Sequence, residues 1–266
     1  MLRRSRKFLF VVVAATLMLA GGGHALAADI GVVVLHGKGG MPGGLVKSLA
    51  LHLSRSGMDV ANLEMPWSRD REYGAAPEAG VGEIDAAFEK MRADGAKKVF
   101  VVGHSLGALF AAHYAAERAV SGLVLVAPGG NVASRFWQDK VSDSLDKAAR
   151  LIDEGKGEEK TDFIDFEGSK GNSTIHVTPT LYRAWFSTDS PLNQRRTYGR
   201  LPAGLPVLNI VPVNDYKALV RAKDDLFRLL PDTPDREMYE PHTNHQNAPA
   251  ESAEKITAWI ERVAKS

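Results

Sequence analysis

Apolar residues in this chain fall into short continuous runs separated by stretches with helical spacing. Residues 30–35 read IGVVVL, a β-branched run of the kind that forms a strand buried on both faces of a parallel sheet. Strands are likewise predicted at 99–102, 123–126, 207–211 and 236–239, with a weaker one at 58–63 closed by Pro66. Helices are expected at 45–54 and at 77–91, where Val81, Ile84, Phe88 and Met91 share one face. An alanine-rich helix follows at 106–119, and a last one, opened by Pro249, turns Ala253, Ile256, Ile260 and Val263 inward. Repeated strand–helix units predict an α/β fold, doubly wound, with a mostly parallel sheet of about six strands.

Residues 131–200 break the alternation. They contain a charged helical stretch at 138–152 and a polar, glycine-rich stretch at 155–173, with no convincing buried strand. Ordinary connections rarely exceed about 15 residues. The segment is therefore expected to be a largely helical insertion or lid over the carboxyl ends of the strands, where open α/β sheets bind ligands. The alternative is a surface excursion unrelated to any site. Its aromatic residues Trp137, Tyr182, Trp185 and Phe186 suit either an acyl pocket or the insertion's own core.

The N-terminus follows a different pattern. Arg3, Arg4, Arg6 and Lys7 precede an apolar stretch at 8–20, and Ala25-Leu26-Ala27 offers a small-residue cleavage pattern. The apolar stretch is shorter than the ~20 residues of a membrane span. Residues 1–27 are thus expected to be a signal peptide and 28–266 a single domain, periplasmic or secreted, with no stable membrane span after cleavage. Arg3-Arg4 alone does not make a convincing twin-arginine motif. Cleavage would take the formal net charge from +1 to about −3.

Charge and composition narrow the chemistry. The balance of 33 Lys+Arg against 32 Asp+Glu gives no electrostatic footprint for nucleic acid. With no cysteine, disulfides, thiolate metal sites and a thiol nucleophile are all excluded. The eight histidines show no metal-ligand spacing. The run from Gly39 to Ser48 fails as a phosphate loop, because Val46 stands where the second glycine is required.

The chemistry concentrates at Gly103-His104-Ser105-Leu106-Gly107, between a predicted strand and a predicted helix. In a G-x-S-x-G turn of this kind the serine sits on a sharp, strained bend, and residues two before and two after it must be glycine-sized. The turn lifts the hydroxyl clear of the sheet at the helix N-terminus. Neighbouring His104 is expected to pack or hydrogen-bond rather than to catalyse.

On these residues the sequence resembles the α/β-hydrolase family across nearly the whole of residues 28–266, the insertion excepted. The resemblance makes Ser105 the nucleophile. His36-Gly37-Lys38-Gly39-Gly40 is similar to the family's oxyanion loop, which implies that backbone N–H groups of Leu106 and of Lys38 or Gly39 hold the oxyanion. The family order of serine, acid and histidine points to Asp215, just past the strand at 207–211. The alternative for Asp215 is a helix cap, and Asp189 and Asp225 are poorer candidates. The base lies in the loop 241–247, with His245 favoured and His242 as the alternative. The usual N-terminal edge strands of the family have no counterpart here.

Trp67, Arg69 and Arg71 suit either the mouth of a pocket or a solvated basic loop. The implied activity is that of a serine hydrolase acting on a carboxylic ester or related acyl bond of a small-molecule or lipid-like substrate, with no cofactor and no metal. Rival readings are a catalytically silent binding or scaffolding protein on the same fold, and a lyase or cofactor-free haloperoxidase using the same three groups.

Overall fold

Val32, Val33, Val34 and Leu35 are wholly removed from solvent, as expected of a strand with helices on both faces. The computed structural model describes residues 28–168 and 170–266, so the expected signal peptide lies outside the described residues. The chain runs through β1 (Ile30–Leu35), α1 (Lys47–Arg55), β2 (Asp59–Leu63), α2 (Pro77–Ala93), β3 (Lys98–His104), α3 (Leu106–Glu117) and β4 (Gly122–Val126). An excursion follows, made of α4 (Arg135–Asp153), β5 (Thr161–Glu167), β6 (Gly171–Val177), α5 (Pro179–Phe186) and α6 (Gln194–Tyr198). The chain closes with β7 (Val207–Ile210), α7 (Lys217–Phe227), β8 (Glu237–Tyr239), α8 (Ala248–Glu251) and α9 (Ala253–Ala264).

Six strands form one sheet in the order β2-β1-β3-β4-β7-β8, and every neighbouring pair is parallel. Among the described residues this sheet has no antiparallel edge strand. Alternate residues of β1 enter two different cores. Val33 and Leu35 join α2, α3 and the excursion, while Val32 and Val34 join α1, α8 and α9. Ala253, Ile256, Ile260 and Val263 all face that second core, as their spacing predicts. The winding direction reverses between β1 and β3, and the crevice beyond the carboxyl ends of such neighbours is where open sheets of this class take ligands. Leu35 pairs with Gly103 there, so the loop after β1 lies beside the turn after β3.

The excursion differs from expectation in one respect. Residues 161–177, most of which fall in the polar, glycine-rich stretch at 155–173 where no strand is expected, form an antiparallel hairpin of β5 and β6. Its burial alternates: Phe163 and Ile175 are buried while Asp162 and His176 point to solvent. A one-sided hairpin shows period-2 alternation rather than the continuous apolar run of a central strand. The helices are capped by their own sequence: Ser134, Thr178 and Asn193 accept from Trp137, Leu181 and Arg196 N–H, respectively. Among the described residues no helix is long and apolar enough to cross a membrane.

Candidate active site

Gly103 and Gly107 set the turn that carries Ser105. A Cβ on Gly103 would lie 2.1 Å from the Gly107 carbonyl oxygen, and one on Gly107 would lie 2.4 Å from that of His36. Neither position has room for a side chain, so strand, turn and helix can close only with glycine at both. Ser105 itself takes φ +55° and ψ −120° immediately before α3. Backbone in that region costs a non-glycine residue on the order of 1–3 kcal/mol. The strained turn is held by a Ser105 N–H bond to the Val126 carbonyl at 2.9 Å.

Three side chains meet at this turn. Ser105 Oγ lies 3.0 Å from His245 Nε2, and His245 Nδ1 lies 2.8 Å from Asp215 Oδ1. With Nδ1–H donating to the carboxylate, Nε2 is left to accept from the serine hydroxyl. Asp215 and His245 are both buried, each 8 % exposed, and Asp215 Oδ1 also accepts from Tyr216 N–H at 2.7 Å. Asp215 is not the cap of α7, whose N-cap is Tyr216. The Tyr216 ring packs on His245 with centroids 4.8 Å apart, and its hydroxyl accepts from Gln246 Nε2. Asp215 and Asn209 share the lining of a cavity of about 20 Å³, room for a single water.

The other candidates separate cleanly. His242 is exposed and lies outside this hydrogen-bonded chain among the described residues. Asp189 and Asp225 are engaged in exposed ion pairs with Arg196 and Arg228. Gly39 N–H donates to the Trp67 carbonyl at 3.0 Å and is already committed. The N–H groups of Lys38 and Leu106 make no hydrogen bond among the described residues. Leu106 opens α3, so its N–H adds to the positive end of a 12-residue helix.

Two buried histidines brace these loops. His36 Nδ1 donates to the Gly37 carbonyl, its Nε2 accepts from Met65 N–H, and its own carbonyl accepts from Trp67 Nε1. Burial lowers its pKa and keeps the ring neutral. His104 Nε2 donates to the His245 carbonyl, so the residue beside Ser105 reaches the loop that carries His245.

Trp67 is neither a pocket rim nor part of a solvated loop: it is fully buried against Phe110 and Trp185. Arg71 is drawn into a bidentate pair with Glu83 at 2.6 and 2.8 Å, and Arg69 is exposed. Trp137, Tyr182, Trp185 and Phe186 are all buried, with Tyr182 stacked on Phe163 and Trp185 Nε1 donating to the Ala75 carbonyl. They build the core of the excursion and its seam with the sheet domain.

One contact escaped sequence reasoning. Lys38 Nζ donates to Asp165 Oδ1 at 2.5 Å and to the Phe166 carbonyl at 2.8 Å, joining the loop after β1 to β5. Burial raises the Asp165 pKa, and the Lys38 ammonium opposes that rise. No alternation in the sequence marks this contact: each face of β5 mixes apolar and acidic residues, and adjacent Asp165 and Phe166 are both buried.

Residues 32–262 match the sequence profile of the alpha/beta hydrolase family. The chain belongs to that family. No curated protein matches the sequence significantly. Among solved structures, this alpha/beta hydrolase is similar to DcsB in complex with its substrate analogue, at TM-score 0.66 and 15% identity over 90% of this chain and 92% of that one. It is also similar to the structure reported for LipS and LipT, two metagenome-derived lipolytic enzymes, at TM-score 0.61 and 18% identity over 89% and 95% of the two chains. A third similar fold is the monoacylglycerol lipase of Paleococcus ferrophilus, at TM-score 0.58 and 20% identity over 88% and 94%.

Proposed function

We propose that this alpha/beta hydrolase is a serine hydrolase that cleaves a carboxylic ester or related acyl bond of a small-molecule or lipid-like substrate. The observation that carries the reading is the hydrogen-bonded chain from Ser105 Oγ through His245 to Asp215, at 3.0 and 2.8 Å. In this mechanism Ser105 Oγ attacks the acyl carbon while His245 Nε2 takes its proton. The tetrahedral oxyanion is held by the N–H groups of Leu106 and Lys38, aided by the helix terminus. Collapse breaks the bond to the leaving group, which receives the proton from His245, and leaves an acyl-enzyme on Ser105. Water, deprotonated by His245, then attacks the acyl carbon, and Ser105 is released with its proton restored. Asp215 fixes the imidazole tautomer and supports the imidazolium.

No step requires a cofactor, because nucleophile, base and oxyanion donors are all protein groups. The preference for an ester over an amide is supported by the lipolytic enzyme and monoacylglycerol lipase that share the fold. We further propose that residues 1–27 are a cleaved signal peptide and that the enzyme works in the periplasm or outside the cell. The deciding experiment is labelling with a fluorophosphonate probe alongside hydrolysis of activated aryl esters. Wild type should do both and Ser105→Ala neither; labelling that persists in Ser105→Ala would overturn the assignment.

A further inference from the structure

The loop that offers the Lys38 N–H is fastened at two ends. On the sheet side, His36 is tied to Gly37, Met65 and Trp67, and Gly39 N–H is tied to the Trp67 carbonyl. On the outer side, the loop's one charged side chain leaves the sheet domain altogether. Lys38 Nζ reaches into the excursion, where Asp165 Oδ1 and the Phe166 carbonyl receive it. The Asp165 side chain is 6 % exposed and that of Lys38 16 %, so water does little to screen the pair. The receiving end is itself fixed: Trp137 Nε1 donates to the same Phe166 carbonyl, and Tyr182 Oη donates to the carbonyl of Ile164 on the same strand. Gly37 packs so closely on the turn that a Cβ there would lie 3.2 Å from Ser105 Cβ. A shift of the Lys38 peptide therefore changes the geometry around Ser105.

We propose that Lys38 and Asp165 are positioning residues: the excursion holds the oxyanion loop in register through this buried ion pair, and so acts on the acyl-transfer step without touching the acyl group. The inference rests on the proposed role of Ser105 and of the Lys38 N–H. The donor is a backbone group, so it survives any change of side chain, and what the ion pair controls is where that donor points. Transition-state charge stabilisation is sensitive to such placement, whereas ground-state binding of a neutral ester is much less so.

The test uses Lys38→Met, Asp165→Asn and the double variant in the full chain. Lys38→Met alone leaves a buried carboxylate without its cation and is expected to lower stability; removing both charges in the double variant avoids this. In the double variant kcat should fall by about tenfold or more with KM nearly unchanged. Affinity for an aryl trifluoromethyl ketone, which adds to Ser105 as an oxyanion, should fall by the same factor as kcat/KM. A folded double variant with kcat within about fivefold of wild type would overturn the proposal. A proportional loss of kcat without loss of ketone affinity would overturn it equally. Wild-type labelling separates the two levels: if wild type fails to react with a fluorophosphonate, it is the role of Ser105 that fails.

Discussion

His104 Nε2 donates to the backbone carbonyl of His245 across 2.9 Å, linking the turn that carries Ser105 to the loop that carries the His245 imidazole. A ring that donates from Nε2 and stays neutral holds its other nitrogen, Nδ1, as a bare acceptor, and that atom is buried without a partner among the described residues. Burial, and then the nearby His245 ring, lower the His104 pKa to about 4. Between that value and the ordinary 6.5 the unfolded chain binds a proton that the folded one refuses. The stability contributed by neutral His104 is thus fully present above the unfolded value and is lost as pH falls through this window. His36 and His113, also lowered chiefly by burial, add to the same slope.

Urea unfolding between about pH 4 and 6.5 should therefore show stability rising with pH. In His104→Gln, which keeps an N–H donor but cannot titrate, proton uptake on unfolding should drop by about one. An unchanged slope would show that His104 does not titrate in that window.

His245 and His242 should behave oppositely. His245→Ala removes the group bonded to both Ser105 and Asp215 and should lower kcat by about 10³-fold or more on an activated ester. Exposed His242→Ala should stay within about twofold. Near-wild-type rates for the His245 variant would reassign the base.

Asp215→Asn tests the tautomer argument. An amide can present its N–H to Nδ1 and so favours the wrong imidazole tautomer, while the fold around it changes little. The expected result is a loss of about 10³- to 10⁴-fold in kcat with a preserved melting temperature. A mild loss of less than about tenfold would place the acid elsewhere.

Gly103→Ala should be severe for a steric reason alone. The added Cβ would meet the Gly107 carbonyl oxygen at 2.1 Å, and that neighbour is backbone at the start of a helix, with no flexible end to yield. Destabilisation of about 3 kcal/mol or more is expected in urea titrations, together with lost probe labelling. A normal urea midpoint would contradict the close approach.

Tyr216→Ala should act more gently. The ring packs against His245 at 4.8 Å and is partly exposed, so its removal costs packing and frees the imidazole to swing. Aromatic contacts of this kind contribute about 0.5–1.5 kcal/mol, which corresponds to a fall in kcat of roughly two- to tenfold. An unchanged kcat would leave Tyr216 as a rim residue only.

Much of this architecture was legible in the residues themselves. Continuous β-branched runs mark the central strands because both faces of a parallel sheet are covered, and the glycines around Ser105 mark a bend that admits nothing larger. Asp215 and His245 were pointed to by the order of serine, acid and histidine that the family resemblance implies, and they lie after β7 and β8 within hydrogen-bond reach of one another and of Ser105. The hairpin of β5 and β6 was not, since one-sided alternation mixes Asp162 and His176 with Phe163 and Ile175 and looks like polar loop. The Lys38–Asp165 pair was hidden for a different reason: a contact between residues 127 positions apart leaves no local pattern. Trp67 shows the same limit, because an aromatic followed in sequence by Arg69 and Arg71 is placed by tertiary packing alone.

The excursion departs after β4 and returns at β7, and those two strands are immediate neighbours in the sheet. The two strands are parallel, so the chain leaves at the carboxyl end of β4 and re-enters at the amino end of β7: the excursion is a crossover that spans the sheet from one end to the other, with none of its residues among the six strands. Any replacement must make the same crossing and also fill the seam where Trp185 packs on Trp67 and Phe110. For an engineer, residues 131–200 are thus a bridge to be rebuilt on both footings, and Lys38 adds a third point that the new span must meet.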